Sequence, residues 1–173
     1  AKRATATVPI VVISTADPVG TGLAASLARP GGNITGMSSG NDEIVQKLVE
    51  LLLVAAPKLQ RIAVITNPAS RAHPSQLSRV QAAAKQARKQ IVPMSVRTAE
   101  EIESRFATMA RERVDGVIIL GEALLSQQRK QIAMLALKHR LPSIYPNTDY
   151  AEAGGLMGYG TDTTDQFRRA GIF

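Results

Sequence analysis

The sequence has no cysteine and no tryptophan, and only 3% of its 173 residues are aromatic. The absence of cysteine excludes disulfides, thiolate catalysis and cysteine-based zinc sites. The scarcity of aromatic residues argues against an extended base-stacking platform for nucleic acid. No run approaches the roughly 18 consecutive apolar residues of a membrane-spanning helix. Because 45% of the residues are apolar, the chain is nevertheless long and hydrophobic enough to fold around a core.

Basic residues outnumber acidic ones, with 21 Lys and Arg against 14 Asp and Glu, and the formal net charge is +7. These basic residues are scattered along the chain, for example at Lys85, Arg88 and Lys89 and again at Arg129 and Lys130. Scattered basic residues on helices are typical of solvated surface, so the sequence predicts no nucleic-acid partner. The charge favours solubility and attraction to anionic surfaces.

Short apolar runs alternate with amphipathic stretches along most of the chain. Runs as uniformly apolar as "RIAVIT" and "DGVIIL" predict strands buried on both faces, as in a parallel sheet. The predicted strands are Pro9–Ser14, Arg61–Thr66, Ile91–Val96, Gly116–Leu120, Ser143–Tyr145 and Leu156–Tyr159. Helices are predicted from Asn41 or Asp42 to Pro57, from Ser75 to Lys89, from Thr98 in a capping box with Glu101, and from Gln127 to His139. This alternation predicts an α/β fold with a doubly wound parallel sheet.

The two ends of the chain do not fit this unit. Residues 1–36 predict one strand and one short helix that begins behind the Gly20–Gly22 segment. Residues 154–173 predict a short strand and the start of a helix that Asp162 and Asp165 cap. Each end is therefore interpreted as part of a second sheet.

Polar residues follow several of the predicted strands. Ligands of open parallel sheets bind at the carboxyl ends of the strands, near a topological switch point. A group of hydroxyls, amides and a few acids at that edge suits a small polar ligand. The candidate ligand-binding residues are Ser14, Thr15, Asp17, Thr66, Asn67, Ser70, Glu122, Tyr145 and Asn147.

Each candidate also has a structural interpretation. Asp17-Pro18 and Asn67-Pro68 are ordinary turn dipeptides. Glu122 suits the first turn of the next helix, and Tyr145 suits the solvated end of a strand. The sequence leaves these alternatives open.

Catalytic and metal-binding patterns are weak. His73 lies in the loop "SRAHPS" and is predicted to face solvent, whereas His139 ends a helix. Two isolated histidines do not indicate a metal site, and no nucleophile pairs with a base. We therefore predict no catalytic residue, no metal and no cofactor, although the "GTG" of Gly20–Gly22 weakly suggests a phosphate cradle.

Several longer strings closely resemble one protein family. They are "ADPVGTGLAASLARPGGNITG", "LVELLLVAAPKLQRIAVITNP", "MARERVDGVIIL" and "KHRLPSIYPNTDYAEAGGLMGYG". The resemblance is to the substrate-binding proteins of ABC transporters and covers essentially the whole chain. It implies a Rossmann-like doubly wound parallel sheet, one lobe of a type I periplasmic binding protein, with a partial second lobe.

The resemblance further implies a division of the chain. Residues 1–38 would end the first lobe and include the hinge crossing "NITG", residues 39–153 would form the complete second lobe, and residues 154–173 would return to the first lobe. Family members have further strands and a signal peptide before Ala1 and more chain after Phe173. The sequence is therefore interpreted as a fragment lacking most of the first lobe.

The implied function is non-enzymatic binding of a small polar solute, for which an amino acid is one candidate, by hinge closure between two lobes. The implied partners are the solute and an ABC permease, and the implied location is the periplasm or, as a lipoprotein, the cell surface. Uncovered hinge strands at Val11–Ile13 and Leu156–Met157 predict a homodimer or a swapped oligomer. The alternative is a nucleotide-binding or enzymatic doubly wound domain, because fold alone does not dictate function.

Overall fold

The computed structural model describes residues 4–15, 18–20, 22–38, 41–160 and 162–171. The chain divides into two compact units, one of Ala1–Asn41 with Thr161–Phe173 and the other of Asp42–Gly160. No helix in the described part of the chain is long and apolar enough to cross a membrane.

The larger unit is a five-stranded parallel sheet with helices on both faces. Its strands are β3 (Arg61–Thr66), β4 (Gln90–Ser95), β5 (Gly116–Ile119), β6 (Ser143–Tyr145) and β7 (Met157–Gly158). Its helices are α1 (Asn41–Ala55), α2 (His73–Gln86), α3 (Ala99–Arg111), α4 (Ala123–Gln127), α5 (Arg129–Lys138) and α6 (Asp149–Glu152). The strand order is β4-β3-β5-β6-β7, with every neighbouring pair parallel. The predicted doubly wound fold is therefore confirmed.

Alternate residues of the central strands enter two separate hydrophobic cores. Ile65 and Ile119 pack in the core that contains Phe106 of α3. Val64 and Ile118 pack in the other core, which contains Leu48 of α1. Because side chains alternate across a strand, the two cores lie on opposite faces of the sheet. This double burial explains why β3 and β5 read as continuous apolar runs.

The smaller unit contains two parallel strands, β1 (Ile10–Thr15) and β2 (Ile34–Ser38), against which helix α7 (Thr163–Ala170) packs. In β2, Gly36 has φ +146° and directly faces Val12. A Cβ atom on Gly36 would lie 1.9 Å from the Val12 carbonyl oxygen. Only glycine therefore allows this pairing.

The structure corrects one prediction for this segment and adds a strand to it. The described residues between β1 and β2 form turns and bends, so the helix predicted behind Gly20–Gly22 is wrong. Most of the "NITG" segment lies within strand β2, which was absent from the predicted strands. Asp162 does cap α7, since its side chain accepts a hydrogen bond from the Asp165 N–H at 3.0 Å.

Two helix predictions in the larger unit also change. The helix predicted over Gln127–His139 corresponds to α5, and the prediction missed the short helix α4, which precedes α5 and is separated from it by Gln128. The Thr98 side chain makes no cap hydrogen bond, and Glu101 instead accepts from the Arg97 N–H at 2.9 Å. Thr98 is the N-cap residue of α3, but the two hydrogen bonds of the predicted capping box do not form.

Candidate functional site

The candidate site lies where strands β3, β5 and β6 end, at one edge of the parallel sheet. Strands β3 and β5 are hydrogen-bonded neighbours. The helix after β3 packs on one face through Val80, whereas the helix after β5 packs on the other face through Leu125. The chain therefore diverges between these two strands, which is the topological switch point at which such sheets bind ligands.

His73 joins the two loops at this switch point. It is the first residue of α2 and only 2% exposed. The Asn67 N–H donates to His73 Nδ1 over 2.7 Å, and His73 Nε2 lies 3.3 Å from the Gly121 carbonyl oxygen. The prediction that His73 faces solvent is wrong, because the ring fills the gap between the ends of β3 and β5.

The hydrogen bonds define the protonation state of this ring. Because Nδ1 accepts the hydrogen of the Asn67 N–H, it must carry a lone pair rather than a proton. The ring proton therefore lies on Nε2, which donates a hydrogen bond to the Gly121 carbonyl oxygen. Burial lowers the pKa of His73, although the Gly121 carbonyl and the Glu122 charge act in the opposite direction. His73 is therefore a neutral buried link between the two loops.

Glu122 is held by the same network. Its carboxylate caps α4 by accepting from the Leu124 and Leu125 N–H groups over 3.0 and 3.4 Å. Burial alone would raise the pKa of Glu122, but hydrogen bonds from the Leu124 N–H, the Asn67 side chain and the Leu125 N–H outweigh it and lower that pKa. The half-buried Glu122 is thus an ionised acid at the switch point.

Two stacked tyrosines lie behind the end of β6. The rings of Tyr145 and Tyr150 are parallel within 19°, with centroids 4.5 Å apart, and both residues are fully buried. Tyr145 is therefore not a solvated strand end, contrary to its structural interpretation. A Cβ atom on Gly155 would lie 2.5 Å from Tyr145 Cε2, so the backbone of the following loop covers the ring.

The hydroxyl groups of both tyrosines are buried without a hydrogen-bond partner of good geometry among the described residues. Burial raises the pKa of Tyr145, with Ser143 acting weakly against it. Burial raises the pKa of Tyr150 as well, and the Ser126 side chain opposes this. Both phenols therefore stay protonated, each with an unused donor.

The remaining predicted residues of the larger unit also lie at this edge. Thr66 ends β3 and is buried, while Asn67 follows it and is 5% exposed. Ser70 is half-buried and donates its N–H to the Asn67 carbonyl over 3.0 Å. Asn147 is half-buried, and its Oδ1 atom has no hydrogen-bond partner among the described residues. The structure thus brings six predicted residues to the ends of three neighbouring strands.

The other three predicted residues belong to the smaller unit. Ser14 and Thr15 end strand β1, but their side chains lie outside the described part of the chain, as does the whole of Asp17. Within the described residues, no group of three His, Cys, Asp or Glu side chains could hold a metal ion.

Sequence reasoning missed His73 and Tyr150 as members of this region. Pro74 marks a helix start, which could have placed His73 at the carboxyl edge of the sheet. Nothing in the local sequence indicates that the His73 ring turns inward, since its partner Gly121 is 48 residues away. Tyr150 lies on α6, a four-residue helix too short to leave a periodic pattern.

Comparison with known proteins identifies relatives of the whole chain. A protein of Clostridioides difficile named tyrosine-binding protein is 26% identical over 162 residues, which are 94% of this chain and 46% of that protein. A solved "conserved domain protein" of Vibrio cholerae has a TM-score of 0.86 and 25% identity, and the match covers 99% of this chain and 57% of that one. A solved "ABC domain in complex with L-Trp" from Streptococcus pneumonia has a TM-score of 0.85 and 24% identity, with the same coverages.

The chain spans about half the length of these relatives. The family described as ABC transporter substrate binding protein matches residues 1–173. The protein therefore belongs to the ABC transporter substrate-binding proteins, as its sequence motifs predicted.

Proposed function

We propose that this chain is part of the solute-binding component of a bacterial ABC importer and that it binds a small polar solute at the carboxyl edge of its five-stranded sheet. The observation that carries the proposal is the set of polar side chains from the ends of β3, β5 and β6, gathered at the topological switch point. The family and its relatives are substrate-binding proteins rather than enzymes.

The chemistry of this edge favours an amino acid. Glu122 is an ionised carboxylate whose pKa is lowered, and such a group suits the ammonium of a solute. Ser70, Asn147 and Asn67 provide hydroxyl and amide groups that suit a carboxylate or other polar group. The name of the tyrosine-binding relative supports this solute class.

The mechanism we propose is hinge closure of two lobes around the solute, which shifts an open–closed equilibrium of the complete protein. Ser14, Thr15 and Asp17 would contribute from the first lobe. The closed form would then engage an ABC permease, with the protein in the periplasm or at the cell surface as a lipoprotein.

Isothermal titration calorimetry with tyrosine, phenylalanine, leucine and a tyrosine analogue without the amino group tests this proposal. We expect binding of at least one amino acid and weak or no binding of the amine-free analogue. Glu122→Gln keeps the size of the side chain but removes its charge, so it should weaken amino-acid binding about 10- to 100-fold, as expected for a hydrogen bond to a charged group.

The matched control is Glu112→Gln, which removes the same charge from the C-cap residue of α3, at the opposite edge of the sheet. It should leave binding unchanged. Equal binding of the amine-free analogue would contradict the role of Glu122, and the absence of any amino-acid binding to the complete two-lobed protein would contradict the solute class.

A further inference from the structure

The basic residues that look scattered in the sequence meet at one edge of the folded sheet. This edge, which we call the basic edge, comprises the four helix-to-strand connections that enter β3, β4, β5 and β6, counted from the last helical turn to the first strand residue. Its basic residues are Lys58, Arg61, Lys85, Arg88, Lys89, Arg111, Arg113, Lys138 and Arg140, and its acidic residues are Glu112 and Asp115. All four connections reach the amino ends of parallel strands, opposite the candidate solute site.

The basic edge accounts for the charge of the whole chain. Its nine basic and two acidic residues give +7, which equals the formal net charge of all 173 residues. The charges elsewhere in the sequence therefore cancel. One of the two acids is engaged by the backbone, since the Asp115 carboxylate accepts from the Gln60 and Arg61 N–H groups over 2.8 and 2.9 Å.

Three arginines occupy a conformation that does not favour them. Arg88, Arg113 and Arg140 have φ values of 56°, 55° and 54°, and each lies two residues beyond the last residue of a helix. Each follows the same turn, in which its N–H and that of the next residue bond back to helix carbonyls. Glycine usually occupies this left-handed position because it adopts it without strain. A favourable interaction with the helix dipole does not explain arginine at this position, because a basic residue anywhere in the last turn would interact with the dipole equally well.

The same three side chains are available to an external partner. Arg88, Arg113 and Arg140 are exposed, and no ion pair joins them to another residue in the described ranges. The connections they occupy lead into β4, β5 and β6, which span about 14 Å across the sheet at the usual strand spacing. This width exceeds a single phosphate group and matches an extended anionic surface.

An apolar depression lies within the basic edge. It has a volume of about 390 Å³ and is lined by Ala56, Pro57, Leu59 and Pro142, beside Lys58 and Asp115. Apolar surface within an edge of net positive charge suits a lipid headgroup region, where phosphates lie next to glycerol and acyl carbons. It suits nucleic acid less well, because these connections contain no Phe, Tyr or Trp to stack on a base.

We propose that the basic edge docks the protein on an anionic phospholipid membrane when the protein is not engaged with a permease. Each exposed arginine or lysine near an anionic bilayer contributes separately to binding, and salt screens the attraction. Membrane docking by this edge requires no solute, so it is independent of the proposed solute binding.

Co-sedimentation with vesicles tests the proposal. The vesicles contain either phosphatidylcholine alone or equal parts of phosphatidylcholine and phosphatidylglycerol. We expect binding to the anionic vesicles at about 0.05 M salt and release at about 0.5 M.

The triple variant Arg88→Gly, Arg113→Gly and Arg140→Gly should lower the partition coefficient roughly a hundredfold. Its Tm should not fall, because glycine relieves the left-handed strain. The corresponding triple asparagine variant, which also tolerates this conformation, serves if the glycine variant does not fold.

The matched control is the triple variant Arg71→Gln, Arg97→Gln and Lys130→Gln, which removes the same charge from exposed residues outside the basic edge, two in the loops after β3 and β4 and one in the first turn of α5. It should keep most of the membrane binding. The proposal is overturned if the control weakens binding as much as the glycine variant, or if phosphatidylcholine vesicles bind equally well. Failure to bind anionic vesicles, with retention on a DNA duplex instead, would also overturn it.

Discussion

His73 shows how one side chain can organise the candidate site. Its ring accepts from the Asn67 N–H and donates to the Gly121 carbonyl, so it connects the loops after β3 and β5. A buried amide that loses its acceptor costs about 1–3 kcal/mol. His73→Ala should therefore destabilise the fold by about that amount and disturb Asn67 and Glu122, whereas a side chain with both a donor and an acceptor should be tolerated better.

The lowered pKa of His73 gives a prediction with a definite sign. The folded state disfavours protonation of the ring, so below the ordinary pKa of 6.5 the unfolded chain binds more protons than the folded chain. The free energy of unfolding should therefore fall as the pH decreases below 6.5 toward the lower folded-state pKa. His73→Gln, which keeps an acceptor and a donor but does not titrate, should flatten this dependence. Chemical denaturation at several values from about pH 8 to about pH 5 measures it.

The second histidine of the chain provides the control. His139 lies at the end of α5, against the ring of Phe106 at a centroid distance of 6.0 Å. The acid sensitivity is assigned to His73 only if His73→Gln flattens the pH dependence of stability more than His139→Gln does. A steep dependence that persists in His73→Gln would show that another group dominates the acid sensitivity.

At the scale of single elements, β2 depends on one glycine. The pairing of β2 with β1 places Gly36 against the carbonyl of Val12, with a φ of +146°. An alanine there would combine steric overlap with backbone strain, and we expect a cost of about 3 kcal/mol. Gly36→Ala should therefore remove hydrogen-exchange protection from Ile34 and Val12, while amides in β3 and β5 keep theirs.

Gly32 offers a matched control only four residues earlier. A Cβ atom added to Gly32 meets nothing within 4 Å. Gly32→Ala should accordingly leave exchange in β1 and β2 unchanged. Loss of protection in both variants would mean that the segment tolerates no substitution, and unchanged protection in Gly36→Ala would contradict the tight pairing of the strands.

The elements that could be predicted from sequence are those whose burial leaves a regular pattern of apolar residues along the chain. Strand β3 matched its prediction residue for residue, because double burial makes it apolar throughout. Strand β2 escaped prediction because "ITGMS" is short and contains the glycine that its partner requires. The orientation of His73 could not be predicted, since it depends on a contact with a distant strand end. Local patterns therefore predict strands and edges, but not the packing that decides which polar groups face inward.

At the scale of the whole molecule, the distribution of charge also depends on contacts between residues that are distant in the sequence. Lys58, Arg88, Arg113 and Arg140 belong to four different connections, so no basic run appears in the sequence. Parallel topology places all four connections at one edge, because every helix must return the chain to the same end of the sheet. The prediction that the basic residues are scattered was therefore correct for the sequence and wrong for the folded unit.

Unpaired strand edges give a reason to expect self-association. Strands β1 and β2 form a two-stranded sheet, and β7 is an edge strand of the larger sheet. Val11 and Leu156, which lie in or beside these strands, are 38% and 61% exposed. Open edges with exposed apolar side chains favour pairing with a second copy, and a two-stranded sheet is only marginally stable in water.

We therefore expect a homodimer that covers Val11–Ile13 and Leu156–Met157. Light scattering at a protein concentration of about 0.1 mM should give twice the mass of one chain, since association depends on concentration. Leu156→Lys should shift the population toward single chains, because a lysine at a strand edge opposes pairing. Leu137→Lys, which alters a leucine on helix α5 that is even more exposed than Leu156, should leave the mass unchanged. A single-chain mass for the unsubstituted protein, or dissociation caused by Leu137→Lys but not by Leu156→Lys, would contradict pairing through these strands.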